Sequence, residues 1–487
     1  STAEMKERNH KMATDLRKLI GGTEPIEQRI WFVQSVLEQG VKELPPIPKK
    51  EKDYAFSDKT KGLLKQRKIA LTKNNLKAYH MLDKRFIKSK REDNTKRIMD
   101  AIDKDLDVRD RWMGIRQLKQ VYQPHPYARR TTDGKHIPQA QRAQKAADYL
   151  STHQWGKRKR DEDECPENQP PQKRTHCTAA TPNSAHDEYN IADISLKEIK
   201  LTLKKMKRRK APGPDEIPME IVKEMDDQCL TLIVELLNSW WKEEDIPEDM
   251  LQARVVLIYK KGDTGKFENY RPISLLNSLY KIYAAIVQKR LAKVVDKKLA
   301  KTQFGFRKDK STADAIQLIR GIMEQNHNTY NKMHLVLLDW EKAFDKVDRD
   351  KMFESMEKMN IHPKFINVIR SLYKNTMFKV EIEGTSSRWM KQETGIRQGC
   401  PLSPYLFIIV MTVMFKEIKA GLEVKLTKNA IPGAHFDEVM YADDTICISQ
   451  DTNTMNQYIQ RIEQIGKDYG MMLKTKCELL TTEKNPN

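Results

Sequence analysis

Cysteine is scarce in this chain and follows no pattern. Six cysteines are spread over 487 residues. None forms a C-x-x-C pair, which excludes a zinc module and a disulfide framework and fits a reducing compartment. His153, Cys165, His176, Cys177 and His186 fall in low-complexity sequence, a setting that does not build a zinc site. No run approaches the roughly 18 apolar residues of a membrane span, so no membrane partner is expected. The chain starts at Ser1 with neither an initiator methionine nor a secretory signal; the expectation is a processed product or part of a longer reading frame. Acidic residues are in deficit: 68 Asp and Glu against 88 Lys and Arg leave a formal charge of +20. That excess suits an acidic polymer such as nucleic acid, or else makes a solvated basic surface with no partner.

With 39% apolar and 32% charged residues, the chain has material for several domains and a sizeable core. From Met5 to about Gly40 charged and apolar positions recur at helical spacing, broken at Gly21-Gly22, and Leu44-Pro-Pro-Ile-Pro is an extended spacer. From Lys61 to about Gln123 the sequence is again helical and strongly basic, as in Lys84-Arg85-Phe86-Ile87-Lys88-Ser89-Lys90-Arg91. Such a face tracks a phosphate backbone or is simply solvated. Two short extended segments around Asp133-Gly134 precede a helix from Gln139 to about Trp155. Lys157-Arg158-Lys159-Arg160 resembles a nuclear-import signal, and the Gln-, Pro- and Thr-rich sequence after it has the composition of a disordered linker. The expected organisation is a basic, mainly helical region with a connector (1–156), a linker (157–190) and a packed domain (191–487).

From Ile191 onward the pattern is that of packed helices and strands. Ser195 and Glu198 make a capping box ahead of Leu196, Ile199 and Leu203. Lys210-Ala-Pro-Gly-Pro-Asp215 is a rigid turn, Cys229 to Trp241 an amphipathic helix, and Ala253 to Tyr259 a buried strand running into a hairpin turn at Lys260-Lys261-Gly262-Asp263. Leu335-Val-Leu-Leu is an apolar strand that delivers Asp339 at its end, with a helix beginning immediately after. Asp339 is then either that helix's N-cap or a catalytic carboxylate of the kind strand ends collect. Apolar residues from Val439 and from Thr445 flank the adjacent Asp443 and Asp444, which reads as strand, tight turn and returning strand. Neighbouring carboxylates repel, so the pair is an ordinary polar tip or part of a metal site. With Asp339 as a third carboxylate, the set has the chemistry of two-metal phosphoryl transfer.

Several ordered blocks then resemble a reverse transcriptase of the non-LTR retrotransposon (long interspersed element) type, related to group II intron maturases. They are Lys210-Ala-Pro-Gly-Pro-Asp215, Asn269-Tyr-Arg-Pro-Ile-Ser-Leu-Leu276, Gln303-Phe-Gly-Phe-Arg307, Asp339-x4-Phe344-Asp345, Arg397-Gln-Gly-Cys-Pro-Leu-Ser-Pro404 and Tyr441-Ala-Asp-Asp444. The resemblance covers about Leu196 to Cys477, and the segment from Trp112 to Trp155 resembles the connector before the polymerase core. It implies an α+β, right-hand polymerase with fingers and palm and an antiparallel sheet packed with helices; the expected departure from the family pattern is a missing thumb.

The implied activity is RNA-directed DNA polymerisation. The implied partners are an RNA template, a DNA primer and dNTPs, with the element's own RNA and target DNA. By resemblance, Asp339 and Asp443 would bind two Mg²⁺ ions and Asp444 would contribute charge. Lys260 (or Lys261) and Arg271 would grip the triphosphate. Phe344 would exclude a 2′-hydroxyl, and Gln398 and Gly399 would line the nascent base pair. Gly470-Met-Met-Leu-Lys-Thr-Lys476-Cys477 resembles the next palm motif, one residue short, with Lys476 as the counterpart of the lysine that protonates pyrophosphate. The rival reading is a catalytically inactive, thumb-less fragment or a domesticated nucleic-acid-binding protein. Localisation in the nucleus, with RNA–protein assembly in the cytoplasm, completes the expectation.

Overall fold

The computed structural model describes residues 35–36, 56–72, 75–103, 137–157, 188–422, 436–474 and 477–482. Most of the helical region expected before Gly40, the Pro-rich spacer, the segments around Asp133-Gly134, most of the expected linker with Arg158 to Arg160, and Lys476 lie outside the described residues. The chain divides into two compact units, 44–126 and the remainder.

The smaller unit is a pair of helices, Asp58–Thr72 and Leu76–Asp103. Asn75 Oδ1 accepts the Ala78 amide at 3.1 Å and so caps the second helix. Between the helices, the Thr60 and Ser89 hydroxyls meet at 2.6 Å and Arg67 pairs with Asp83 at 3.0 Å. The Arg67 guanidinium also stands 5.3 Å from the rings of Tyr79 and Phe86. In the basic run Phe86 and Ser89 are buried, while Lys84, Arg85, Lys88, Lys90 and Arg91 are exposed. The spacing therefore makes an amphipathic helix with its positive charge on the outer face.

The larger unit is organised around the helix Ser403–Ala420, in which every side chain from Tyr405 to Phe415 is buried. A helix that is apolar all round has to sit inside, and Pro404 in its first turn starts it without losing a hydrogen bond. Two sheets pack with it. The first comprises β1 (Gln252–Tyr259), β2 (Tyr270–Leu276), β4 (Met377–Ile382), β5 (Thr385–Ser386) and β6 (Met390–Lys391); the second comprises β3 (His334–Leu338), β7 (Glu438–Tyr441), β8 (Asp444–Ser449) and β9 (Glu478–Thr481). The second sheet, in the order β7-β8-β3-β9, is antiparallel throughout, as expected of the palm. The first departs from that expectation at one pair: β1 and β4 run parallel, a pairing that needs a long crossover and leaves no local signal.

The expected local features are present. Ser195 and Glu198 form a reciprocal capping box on the helix Leu196–Lys205. Asp215, in the Pro-Gly-Pro turn, accepts the Ser278 amide at 2.9 Å at the start of the helix Ser278–Val295. Burial pushes the Asp215 carboxyl up to about 6. The helix Gln139–Tyr149 continues through a π-helical turn, Leu150–Gln154. Ala143, Ala146 and Ala147 on this helix are fully buried, Arg142 pairs with Glu383 at 2.5 Å, and Trp155 meets Phe378 edge-on at 4.6 Å. Residues 139–155 thus share the hydrophobic core of the larger unit.

Candidate active site

Asp339 is the first residue beyond β3, and Asp443 and Asp444 lie at the turn between β7 and β8. β3 and β8 pair with Leu338 opposite Thr445, so one further step of the register sets Asp339 opposite Asp444. Tyr441 pairs with Asp444, leaving Ala442 and Asp443 as a two-residue turn. The left-handed residue of that turn is Ala442, at φ 61°, not one of the aspartates. A side chain held there costs on the order of 1 kcal/mol and needs support from its surroundings. Gln303 supplies that support: its Oε1 accepts the Ala442 amide at 3.1 Å and the Gly305 amide at 2.9 Å. The Phe304 amide donates to Met440 O at 2.8 Å. A Cβ on Gly305 would lie 2.3 Å from the Ala442 nitrogen, so only glycine permits this approach. The Gln303-Phe-Gly-Phe-Arg block, legible in the sequence without a role, braces the aspartate hairpin.

All three carboxylates are exposed. Desolvation, followed by the like charges of Asp443 and Asp339, raises the pKa of Asp444, with Lys260 opposing. Lys260, at the β1–β2 turn, is therefore within electrostatic reach of the cluster. Lys474 Nζ donates to both oxygens of Asp339, at 2.7 and 2.8 Å, and the Lys474 amide donates to Asp339 O at 2.8 Å. Sequence reasoning assigned this segment's lysine role to Lys476, which lies outside the described residues; the lysine at the carboxylates is Lys474. Its position one residue past Leu473, which bridges to Trp340 beside Asp339, is a tertiary fact with no local signature. Among the described residues no three His, Cys, Asp or Glu side chains converge closely enough to hold a metal as they stand. The donor type nonetheless fits a hard divalent cation: exposed carboxylate oxygens from two chain segments, one of them paired with an ammonium.

The other expected residues have differing surroundings. Arg271 is exposed on β2, opposite Ile258 on β1, and Lys261 is exposed at the turn. Phe344 is half-buried, stacked on Phe407 at 4.3 Å and edge-on to Phe306 at 6.0 Å. Gln398 and Gly399 are stitched to β2, because the Ser274 amide donates to Gln398 O at 2.7 Å. At Gly399, φ is 126° and a Cβ would lie 2.3 Å from Ser274 O, so glycine is required there. The helix expected directly after Asp339 begins only at Ala343, since Lys342 takes a left-handed conformation at φ 49°. The N-cap position is that of Lys342, which leaves Asp339 free of a capping role.

Comparison with known proteins points to one kind of enzyme. Residues 258–486 match the family described as reverse transcriptase (RNA-dependent DNA polymerase). Over that span the chain is similar to reverse transcriptases, and the relatives that follow are proteins of mobile elements. Over 301 residues it is 26% identical to the RNA-directed DNA polymerase from mobile element jockey of Drosophila funebris, covering 59% of this chain and 32% of that protein. It is 28% identical over 258 residues to the transposon TX1 uncharacterized 149 kDa protein of Xenopus laevis, covering 53% of this chain and 20% of that one. A third relative is the Pol polyprotein from the type-1 retrotransposable element R2 of Nasonia vitripennis, 25% identical with 60% and 27% covered. The chain spans about a third or less of these relatives' lengths. A solved telomerase from Candida albicans, in complex with a fragment of telomeric RNA, aligns over 56% of this chain and 47% of that one. Its TM-score of 0.36 and 14% identity are too low to build on.

Proposed function

We propose that this chain acts as an RNA-directed DNA polymerase, extending a DNA primer on an RNA template with dNTPs. The observation that carries the reading is the pairing of β3 with β8, which sets Asp339 across from Asp444 and beside Asp443. Asp339 and Asp443 would hold two Mg²⁺ ions, with Asp444 adding negative charge next to them. When bound, such ions acidify the primer 3′-hydroxyl and neutralise the charge that builds on the leaving pyrophosphate. Lys474 has to leave the Asp339 oxygens for a metal to take them, and its ammonium then remains close to the triphosphate.

The protein's own groups position the reactants. Lys260 and Arg271 meet the triphosphate, the guanidinium being suited to paired phosphate contacts. Phe344, backed by Phe407, presents its ring under the sugar and leaves no room for a 2′-hydroxyl. Gln398 and Gly399 lie beside the nascent base pair. The exposed basic face of the helix Leu76–Asp103 supplies phosphate contacts to RNA whose strength falls with salt. The element's own RNA and target DNA are further partners in this reading, and the nucleus is its location.

The test is primer extension on a defined RNA template with dNTPs and Mg²⁺. Labelled DNA product of template length supports the reading. Tight RNA binding with no extension would instead favour a protein that binds nucleic acid without polymerising.

A further inference from the structure

Asp345 is 3% exposed and is surrounded by N–H donors from two distant parts of the chain. Gln154 Nε2 donates to its Oδ2 at 2.8 Å and Trp155 Nε1 to its Oδ1 at 3.1 Å. Gln398 Nε2 donates to Oδ2 at 2.8 Å. Gln154 and Trp155 are each 1% exposed and lie far upstream of the matched residues 258–486. Further contacts tie the same turn down on both sides. Lys342 Nζ donates to the Tyr149 hydroxyl at 2.8 Å, Lys346 Nζ to His153 O at 2.5 Å, and the Thr394 amide to Trp155 O at 3.0 Å. The turn therefore clasps both the stretch that carries Phe344 and the stretch that leads into Gln398.

A carboxylate can only accept hydrogen bonds. Facing one, the Gln398 amide must turn its nitrogen inward, which leaves Oε1 as the end available to a ligand. Two of the three donors that fix the carboxylate in this orientation come from the upstream turn. If they are removed, Asp345 is free to rotate, and Gln398 is free to flip or swing.

We propose that Asp345, Gln154 and Trp155 are positioning residues for the incoming nucleotide: the upstream turn locks Asp345, and Asp345 sets the amide of Gln398 toward the dNTP. The segment 139–155 is thus a working part of the nucleotide site and not only a connector. This inference rests on the polymerase reading, because it takes a dNTP as the ligand.

The experiment uses the full chain on an RNA template whose primer ends in a dideoxynucleotide, so that the next correct dNTP binds without reacting. Trp155→Phe keeps the ring against Phe378 and removes only the indole N–H. Gln154→Leu removes the second donor, and melting curves confirm that each variant is folded. Each should raise the dNTP concentration needed to stabilise the complex about 3- to 10-fold, as Gln398→Ala should. Trp155→Phe added to Gln398→Ala should produce no further change, because both act through one contact. A folded Trp155→Phe that binds dNTP like wild type overturns the proposal, as does an effect that multiplies with that of Gln398→Ala. If Trp155→Phe fails to fold, Gln154→Leu decides by the same criteria. A wild-type complex that binds dNTP but does not extend a normal primer would sink the polymerase reading alone; absence of any dNTP-dependent complex overturns both.

Discussion

Asp339 and Asp345 belong to one short stretch, on either side of Trp340 to Phe344, and meet opposite surroundings. Asp339 stands in solvent, shares its region with two further carboxylates, and pairs with the ammonium of Lys474. Asp345 is buried and is held by amide and indole N–H groups. The first arrangement leaves a charge deficit that an ion can fill. The second spends its acceptors on fixing neighbouring side chains. Sequence alone gives the two residues the same identity; what separates them is exposure and the nature of the donors.

The comparison can be broken in several places. The largest effect belongs to the open carboxylate: Asp339→Asn should lower the rate of primer extension about 10²–10³-fold or more, the scale for losing a group that stabilises transition-state charge. Its melting temperature should stay within a degree or two of wild type. Between the two aspartates, Phe344→Val should increase incorporation of ribonucleotides about tenfold in a competition with dNTPs, a steric discrimination typical of an apolar pocket wall. Unchanged sugar selectivity would remove Phe344 from the gate.

At the closed carboxylate the expected loss is in stability. Asp345→Ala strands buried N–H groups, each costing about 1–3 kcal/mol, so chemical denaturation should report a loss of at least about 2 kcal/mol. The smallest effect is in pH. Burial lifts the Asp345 carboxyl to about 6, against the opposing hydrogen bonds from Trp155 and Gln154. A carboxyl whose folded pKa is raised favours the folded state most below the unfolded value near 4, and that contribution is lost as pH rises through 6. The stability difference between wild type and Asp345→Asn should therefore shrink from pH 4 to pH 6. A difference that grows over this interval would place Asp345 outside the buried site.

Much of the site was legible because its signals are local. Apolar and β-branched residues on either side of Asp443-Asp444 mark two strands and the turn between them, and β7 (Glu438–Tyr441) and β8 (Asp444–Ser449) lie within a residue or so of that pattern. The apolar run before Asp339 gives β3 in the same way. The parallel pairing of β1 with β4, the brace of Gln303 on Ala442 and the clasp of Trp155 on Asp345 were not legible. Each joins segments far apart in the chain through an amide or an indole, and none leaves a periodicity behind. The left-handed residue of the turn was not legible for a related reason: Asp tolerates that conformation better than Ala, but a tertiary hydrogen bond from Gln303 supports it at Ala442.

The most direct test of the central claim, that the exposed aspartates form a polymerase centre, is primer extension on an RNA template with Mg²⁺, comparing wild type with Asp443→Ala. Wild type should produce full-length DNA, and Asp443→Ala should produce none while binding the same RNA with unchanged affinity. Extension by Asp443→Ala at the wild-type rate would contradict the account.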